Sequence, residues 1–123
     1  RAEWRISVPV REHLLVDGRG LPTGDREPAR IGDGPLGERT FDDGYTSAQG
    51  EPFTLADGGR EIRLTFVRGY PFAQLYAPGD DDVVAFEPMT APTNALVSGS
   101  DLTVIEAGDS YEAAFELTVT PDS

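Results

Sequence analysis

Ser110-Tyr111-Glu112-Ala113-Ala114-Phe115-Glu116-Leu117-Thr118-Val119-Thr120 admits two readings. Its Glu, Ala and Leu are good helix formers. Yet Tyr111, Ala113, Phe115, Leu117 and Val119 fall on one parity, with Glu112, Glu116, Thr118 and Thr120 on the other. A period of two puts successive side chains on opposite faces of an extended chain, so the segment reads as a strand. With it goes the best helix candidate in the sequence.

The same alternation organises what precedes it. Leu102 to Glu106 and Ser110 to Thr120 flank Ala107-Gly108-Asp109 and predict a hairpin. Phe72 to Tyr76 and Val83 to Glu87 flank Ala77-Pro78-Gly79-Asp80-Asp81-Asp82 and predict a second one with a longer loop. Pro52 to Leu55 and Glu61 to Arg68 flank Asp57-Gly58-Gly59, with Ile62, Leu64 and Phe66 on one face, and predict a third. Near the start, Trp4, Ile6, Val8 and Val10 share one parity, and His13 to Asp17 forms a short second apolar run closed by Asp17-Gly18-Arg19-Gly20. From Leu21 to Gly37 the pattern disappears among three prolines and four glycines, which predicts a long irregular loop. Seven or so short strands and no helix imply an all-β fold, an antiparallel β-sandwich.

Composition removes several function classes. The 123 residues suffice for one domain with a real core. Twenty-two Asp plus Glu against ten cationic residues give a formal net charge of -12, which repels phosphate backbones and anionic headgroups, so no nucleic acid and no membrane partner is expected. No apolar run approaches the ~20 residues of a membrane span, and Arg1-Ala2-Glu3-Trp4 does not resemble a secretory signal, so a soluble, cytoplasmic protein is expected. A single His and no Cys cannot supply the ligands of a transition-metal site, and no metal or organic cofactor is expected. There is no Ser in a G-x-S-x-G elbow, and every cationic side chain is Arg, which excludes Schiff-base chemistry. Asp80-Asp81-Asp82 lacks EF-hand spacing and reads as a solvated turn, while His13, beside Leu14 and Leu15, reads as a structural strand residue.

Glu87 stands apart. It ends the apolar run Val83-Val84-Ala85-Phe86 and precedes Pro88-Met89, so a carboxylate is delivered at the end of a strand into an irregular segment. Partial desolvation there would raise its pKa towards the range of a general base. Spacing alone equally allows an edge charge or turn residue.

Glu87-Pro88-Met89-Thr90-Ala91-Pro92-Thr93-Asn94-Ala95, led by Val83-Val84-Ala85-Phe86 and followed by Gly99, resembles the closing motif of the aldose 1-epimerases, the galactose mutarotase-like superfamily. Leu14-Leu15-Val16-Asp17 through Leu21-Pro22-Thr23-Gly24 is similar to that family's strand and P-T-G loop, and Phe41-Asp42-Asp43-Gly44-Tyr45 to its L-D-x-x-[FY] segment. The three matches occur in the family's order.

The resemblance implies part of a large galactose-mutarotase-type supersandwich, of which residues 1–123 would be the carboxy-terminal portion. It implies interconversion of the α and β anomers of a free aldose, with Glu87 as general base, Asp42 holding sugar hydroxyls and Asn94 as a further pocket residue. The family's general-acid His would precede this chain, and His13 matches neither of the family's His positions. The isolated chain is therefore expected to be inactive, and its partners to be a monosaccharide together with the missing amino-terminal half or a self-paired copy. The alternative on the same fold is a non-catalytic carbohydrate-binding or assembly module in which Tyr45, Tyr70, Tyr76 or Trp4 stacks on a sugar ring.

Overall fold

The structure is a computed structural model that describes residues 1–48, 50–99 and 101–121. Among these are ten strands and one four-residue helical turn: β1 (Arg5–Ser7), β2 (Val10–Val16), β3 (Pro22–Pro28), β4 (Gly34–Pro35), β5 (Phe41–Ser47), β6 (Pro52–Asp57), β7 (Arg60–Arg68), β8 (Phe72–Ala77), β9 (Ala85–Met89), α1 (Ala95–Ser98) and β10 (Ala114–Thr120). They form two five-stranded sheets, β10-β7-β6-β1-β4 (sheet A) and β3-β2-β5-β8-β9 (sheet B), antiparallel throughout. No described helix is long and apolar enough to cross a membrane.

The predicted alternation becomes a core. Ile6, Phe53, Leu64 and Phe66 from sheet A meet Tyr45, Ala73, Leu75 and Ala77 from sheet B. Phe53 and Phe66 stack at 4.7 Å between ring centroids, and Phe86 on β9 tilts against Phe53 at 5.5 Å. Phe53 and Phe66 are almost wholly buried, and each such ring contributes roughly 1.5–3 kcal/mol of transfer free energy, before ordering costs.

The hairpin at Gly58-Gly59 forms as predicted, in register Asp57↔Arg60. The second hairpin forms in register Gln74↔Glu87, but its loop is residues 78–84 and its second strand Ala85–Met89, so Glu87 stands in mid-strand, with Pro88 and Met89 continuing the ladder, and does not end the strand as expected. Three further expectations need correction. The first apolar run is interrupted at Val8-Pro9: proline has no N–H for a ladder, and the chain passes there from sheet A into sheet B, with Ile6 and Val8 both still buried. The segment from Leu21 to Gly37 contains β3 and β4. Neither carries an apolar pattern of its own, because β3 is an edge strand exposed along most of its length and β4 is two residues long.

The third correction concerns the last predicted hairpin. Residues 102–106 form no strand, and β10 pairs instead with β7, placing Phe115 beside Phe66, Leu117 beside Leu64 and Val119 beside Ile62. Gly69 makes this pairing possible. Its φ of 81° suits glycine, and a Cβ there would collide with the Glu112 carbonyl and the Ala113 backbone. The Tyr111 hydroxyl donates to the Gly69 carbonyl at the same junction. Four-residue α1, which no periodicity announces, follows Asn94 in the left-handed region at φ 66°.

Two loops are held by side chains reaching backbone. Arg1 donates to the carbonyls of Gly37, Arg39 and Pro78, and Arg39 to those of Gly32, Pro35 and Leu36. The Asp17 carboxylate accepts from the backbone N–H groups of Arg19 and Leu21 across the β2–β3 turn, which holds its carboxyl below the usual range.

Candidate functional site

In an antiparallel ladder, directly paired residues share a face. Gly44 pairs with Gln74, Gln74 with Glu87, and Asp42 with Tyr76, so Asp42, Gly44, Gln74, Tyr76 and Glu87 all lie on the outer face of sheet B. Their immediate neighbours Asp43, Tyr45, Ala73, Leu75 and Phe86 lie on the inner face. Leu14 of β2 extends the outer row, since a Cβ on Gly44 would touch Leu14 Cδ1 at 3.4 Å and Gln74 Oε1 at 3.2 Å. The missing side chain at Gly44 leaves the floor on which the Gln74 amide lies. From there Gln74 Nε2 donates to Asp42 Oδ1 at 3.1 Å, presetting that carboxylate.

A cleft opens over this floor, lined among others by Leu14, Pro22, Asp42, Gly44, Gln74 and Thr93. Its rim is the segment between β9 and α1, which folds back so that Pro92 and Thr93 cover Leu14. An ion pair fastens that rim. Arg26 on β3 bonds Asp101 beyond α1, stands 3.8 Å from Glu12, and lies 5.4 Å from the centroid of the Phe72 ring. The P-T-G segment thus contributes to a wall, with Pro22 and Gly24 beside Pro92 and Thr93.

Of the residues singled out from the sequence, Asp42 and Glu87 share a face: Gln74 donates to Asp42 and is the ladder partner of Glu87. Glu87 is exposed, so the desolvated carboxylate expected at the strand's end is not found: the run before it is only half-buried, because β9 is an edge strand. Asn94 is exposed and does not line this cleft. It borders a separate shallow depression with Tyr70, Met89 and Leu102, while its backbone carbonyl accepts from Val97 and Ser98. Gln74 and Thr93 belong to the cleft, and sequence reasoning passed over both. The alternation of Phe72 to Tyr76 did carry a signal, a polar Gln between buried Ala73 and Leu75.

His13 is on the other side of the sheet. It pairs with Tyr45 on the inner face, with ring centroids 5.3 Å apart, and stands 3.6 Å from both Glu27 and Asp43. Its Nε2 is buried without a hydrogen bond. The Tyr45 phenol is pushed up to about 12, first by burial and then by the charge and hydrogen bond of Asp43. These groups form a structural cluster at the margin of the core, separated from Glu87 by the thickness of sheet B.

No family model matches the chain, and no curated protein sequence matches it. Among solved structures, a galactose mutarotase-like protein from Clostridium acetobutylicum superposes with a TM-score of 0.80 and 13% sequence identity. The match covers 98% of this chain but 42% of that one, so this chain spans less than half of its neighbour's length. At that identity the likeness establishes the fold: the two five-stranded sheets are those of a galactose mutarotase-like all-β sandwich.

Proposed function

We propose that the outer face of sheet B binds a free aldose and carries the base side of aldose 1-epimerisation, with Glu87 as general base and Asp42 orienting the sugar. The observation that supports this best is the joint placement of Asp42, Gln74 and Glu87 on one sheet face beside a walled cleft. In the reaction a carboxylate removes the proton of the anomeric hydroxyl while an acid protonates the ring oxygen. The bond from C1 to that oxygen breaks, the aldehyde turns about C1–C2, and reclosure gives the other anomer. A carboxylate held by an amide, as Asp42 is, accepts sugar hydroxyls without having to surrender its orientation. Electrostatics favours a neutral sugar over a phosphorylated one, because the nearby cation, Arg26, is already engaged by Asp101 and Glu12.

The chain's one His lies on the opposite face, and no other described residue on the Glu87 face has a His side chain to serve as acid. In this reading the acid comes from protein outside residues 1–123, and the chain alone binds sugar without accelerating anomer exchange. The exposed Tyr76, paired with Asp42, also suits the binding-module alternative, in which a sugar ring stacks on it and no turnover occurs in any context. The deciding experiment measures anomer equilibration of glucose and galactose in a longer active form of the protein. There Glu87→Gln should slow the reaction by roughly 10² or more with the fold intact. Activity retained within a few-fold removes Glu87 from the mechanism, and absence of sugar binding at this face removes the proposal entirely.

A further inference from the structure

Two side chains on the outer face of sheet B are buried although they point away from the core. Phe72 has the parity of Gln74, and Leu14 packs beside Gly44 and Gln74. Leu14 lies under the rim of the cleft, residues 90–99, where Pro92 and Thr93 stand beside it and Pro92 and Ala95 are themselves buried. Phe72 lies under the Arg26 guanidinium. Non-glycine backbone in the left-handed region occurs at two described residues, Asn94 at φ 66° and Asp101 at φ 56°, which bracket α1. That conformation is unfavourable for a residue with a Cβ and is tolerated best by Asn and Asp, so both ends of the helical turn are held by contacts rather than by backbone preference. At Asp101 the contact is the Arg26 ion pair, 2.5 Å from nitrogen to oxygen.

We propose that Arg26 is a positioning residue of the cleft: paired with Asp101, it latches the rim in the place where Thr93 lines the sugar site. The register supplies the geometry. Arg26 is the ladder partner of Leu14, so it stands on the outer face, and Glu12 at 3.8 Å together with the Phe72 ring at 5.4 Å holds its guanidinium there. Leu14, Pro22 and Thr93 line both the cleft and the small gap beside Arg26 and Asp101. A rim released from Arg26 therefore takes the Thr93 wall with it, while Asp42 and Gln74 stay on the sheet. An exposed ion pair is weak, so the latch opens transiently and the rim is a gate rather than a fixed wall. By linkage, a sugar that needs Thr93 in place holds the latch shut. The positioning role rests on the reading of this cleft as the sugar site, whereas the latch itself does not.

Thiol labelling measures the latch, since the chain has no native Cys. Ala95→Cys puts a small side chain at a buried position of the rim, where a thiol reagent reaches it when the rim lifts. In that parent, Arg26→Gln should speed labelling by roughly 2- to 5-fold, and so should Asp101→Asn, which keeps a residue that tolerates the left-handed region. The double variant should label no faster than either alone. Arg26→Lys should restore part of the protection that Gln loses, and salt should raise the parent rate towards that of Asp101→Asn. Saturating galactose or glucose should slow labelling of the parent. Amide exchange of Gly99, whose N–H donates to the Ala95 carbonyl at 2.8 Å, gives the same comparison without the Cys. Labelling and exchange indifferent to both charge removals, or additive in the double variant, would overturn the latch. Sugar that binds, as followed by NMR, without slowing the labelling would overturn the positioning role and leave the sugar site standing. A chain that binds neither sugar would overturn the site itself.

Discussion

Asp42 and Asp43 are adjacent in the chain and chemically identical, yet the structure gives them opposite surroundings. Asp42 points to the outer face, where the Gln74 amide holds it at the edge of an open cleft. Asp43 points inward, where it stands 3.6 Å from His13 and raises the phenol of buried Tyr45. A strand turns every second side chain through the sheet, so one residue of register separates a cleft-facing carboxylate from one packed at the margin of the core. What a carboxylate can do here is decided by parity.

The largest effect that would break this contrast is on sugar binding. Asp42→Asn should weaken the affinity for a free aldose by roughly 10- to 100-fold, the scale of losing a charge-assisted hydrogen bond, while Asp43→Asn changes it little. Titration followed by NMR measures both, and the reverse outcome would put the sugar on the inner face. A smaller effect is expected at Gly44. Valine there would push the Gln74 amide off the floor and away from Asp42, although a flexible side chain can yield, so affinity should fall by only a few-fold with little change in stability.

The smallest effect belongs to the inner face and reads out in stability against alkali. The Tyr45 phenol is at about 12 in the folded protein against the ordinary 10.0 of an unfolded chain. Between these values the unfolded state releases a proton that the folded state keeps. The stability is therefore fully present below pH 10 and is lost as pH rises through about 12. Asp43→Asn removes the charge and the hydrogen bond but leaves the burial, so it should lower the upper limit of that window. Tyr45→Phe should abolish the dependence. Denaturant midpoints measured across this range, together with tyrosinate absorbance, distinguish the variants, and an unchanged profile in Tyr45→Phe would assign the alkaline loss elsewhere.

The reach of the sequence is clearest where a strand makes its own case. β7 and β10 alternate cleanly, so their strand character and apolar faces were legible without a fold, although only the β7 face is buried among the described residues. The partner of β10 was not: proximity in the chain suggested residues 102–106, while the structure pairs it with β7, from Ala114 opposite Arg68 to Thr120 opposite Glu61. Hydrogen-bonded ladders connect backbones, which are the same at every residue, so local pattern specifies a strand better than it specifies its neighbour. β3 shows the converse, since a polar edge strand has no buried face to write into its sequence.

For the candidate site, Glu87 drew notice as the end of an apolar run and through the family resemblance, and Asp42 through the resemblance alone. Only the tertiary structure decided that Asp42 and Glu87 share a face and that His13 does not. It also brought in Gln74 and Thr93 and left Asn94 outside the cleft. The reason is geometric. A site on a sheet is built across strands, and its membership depends on interstrand register and on which loop folds over which face. Neither is encoded within any one segment.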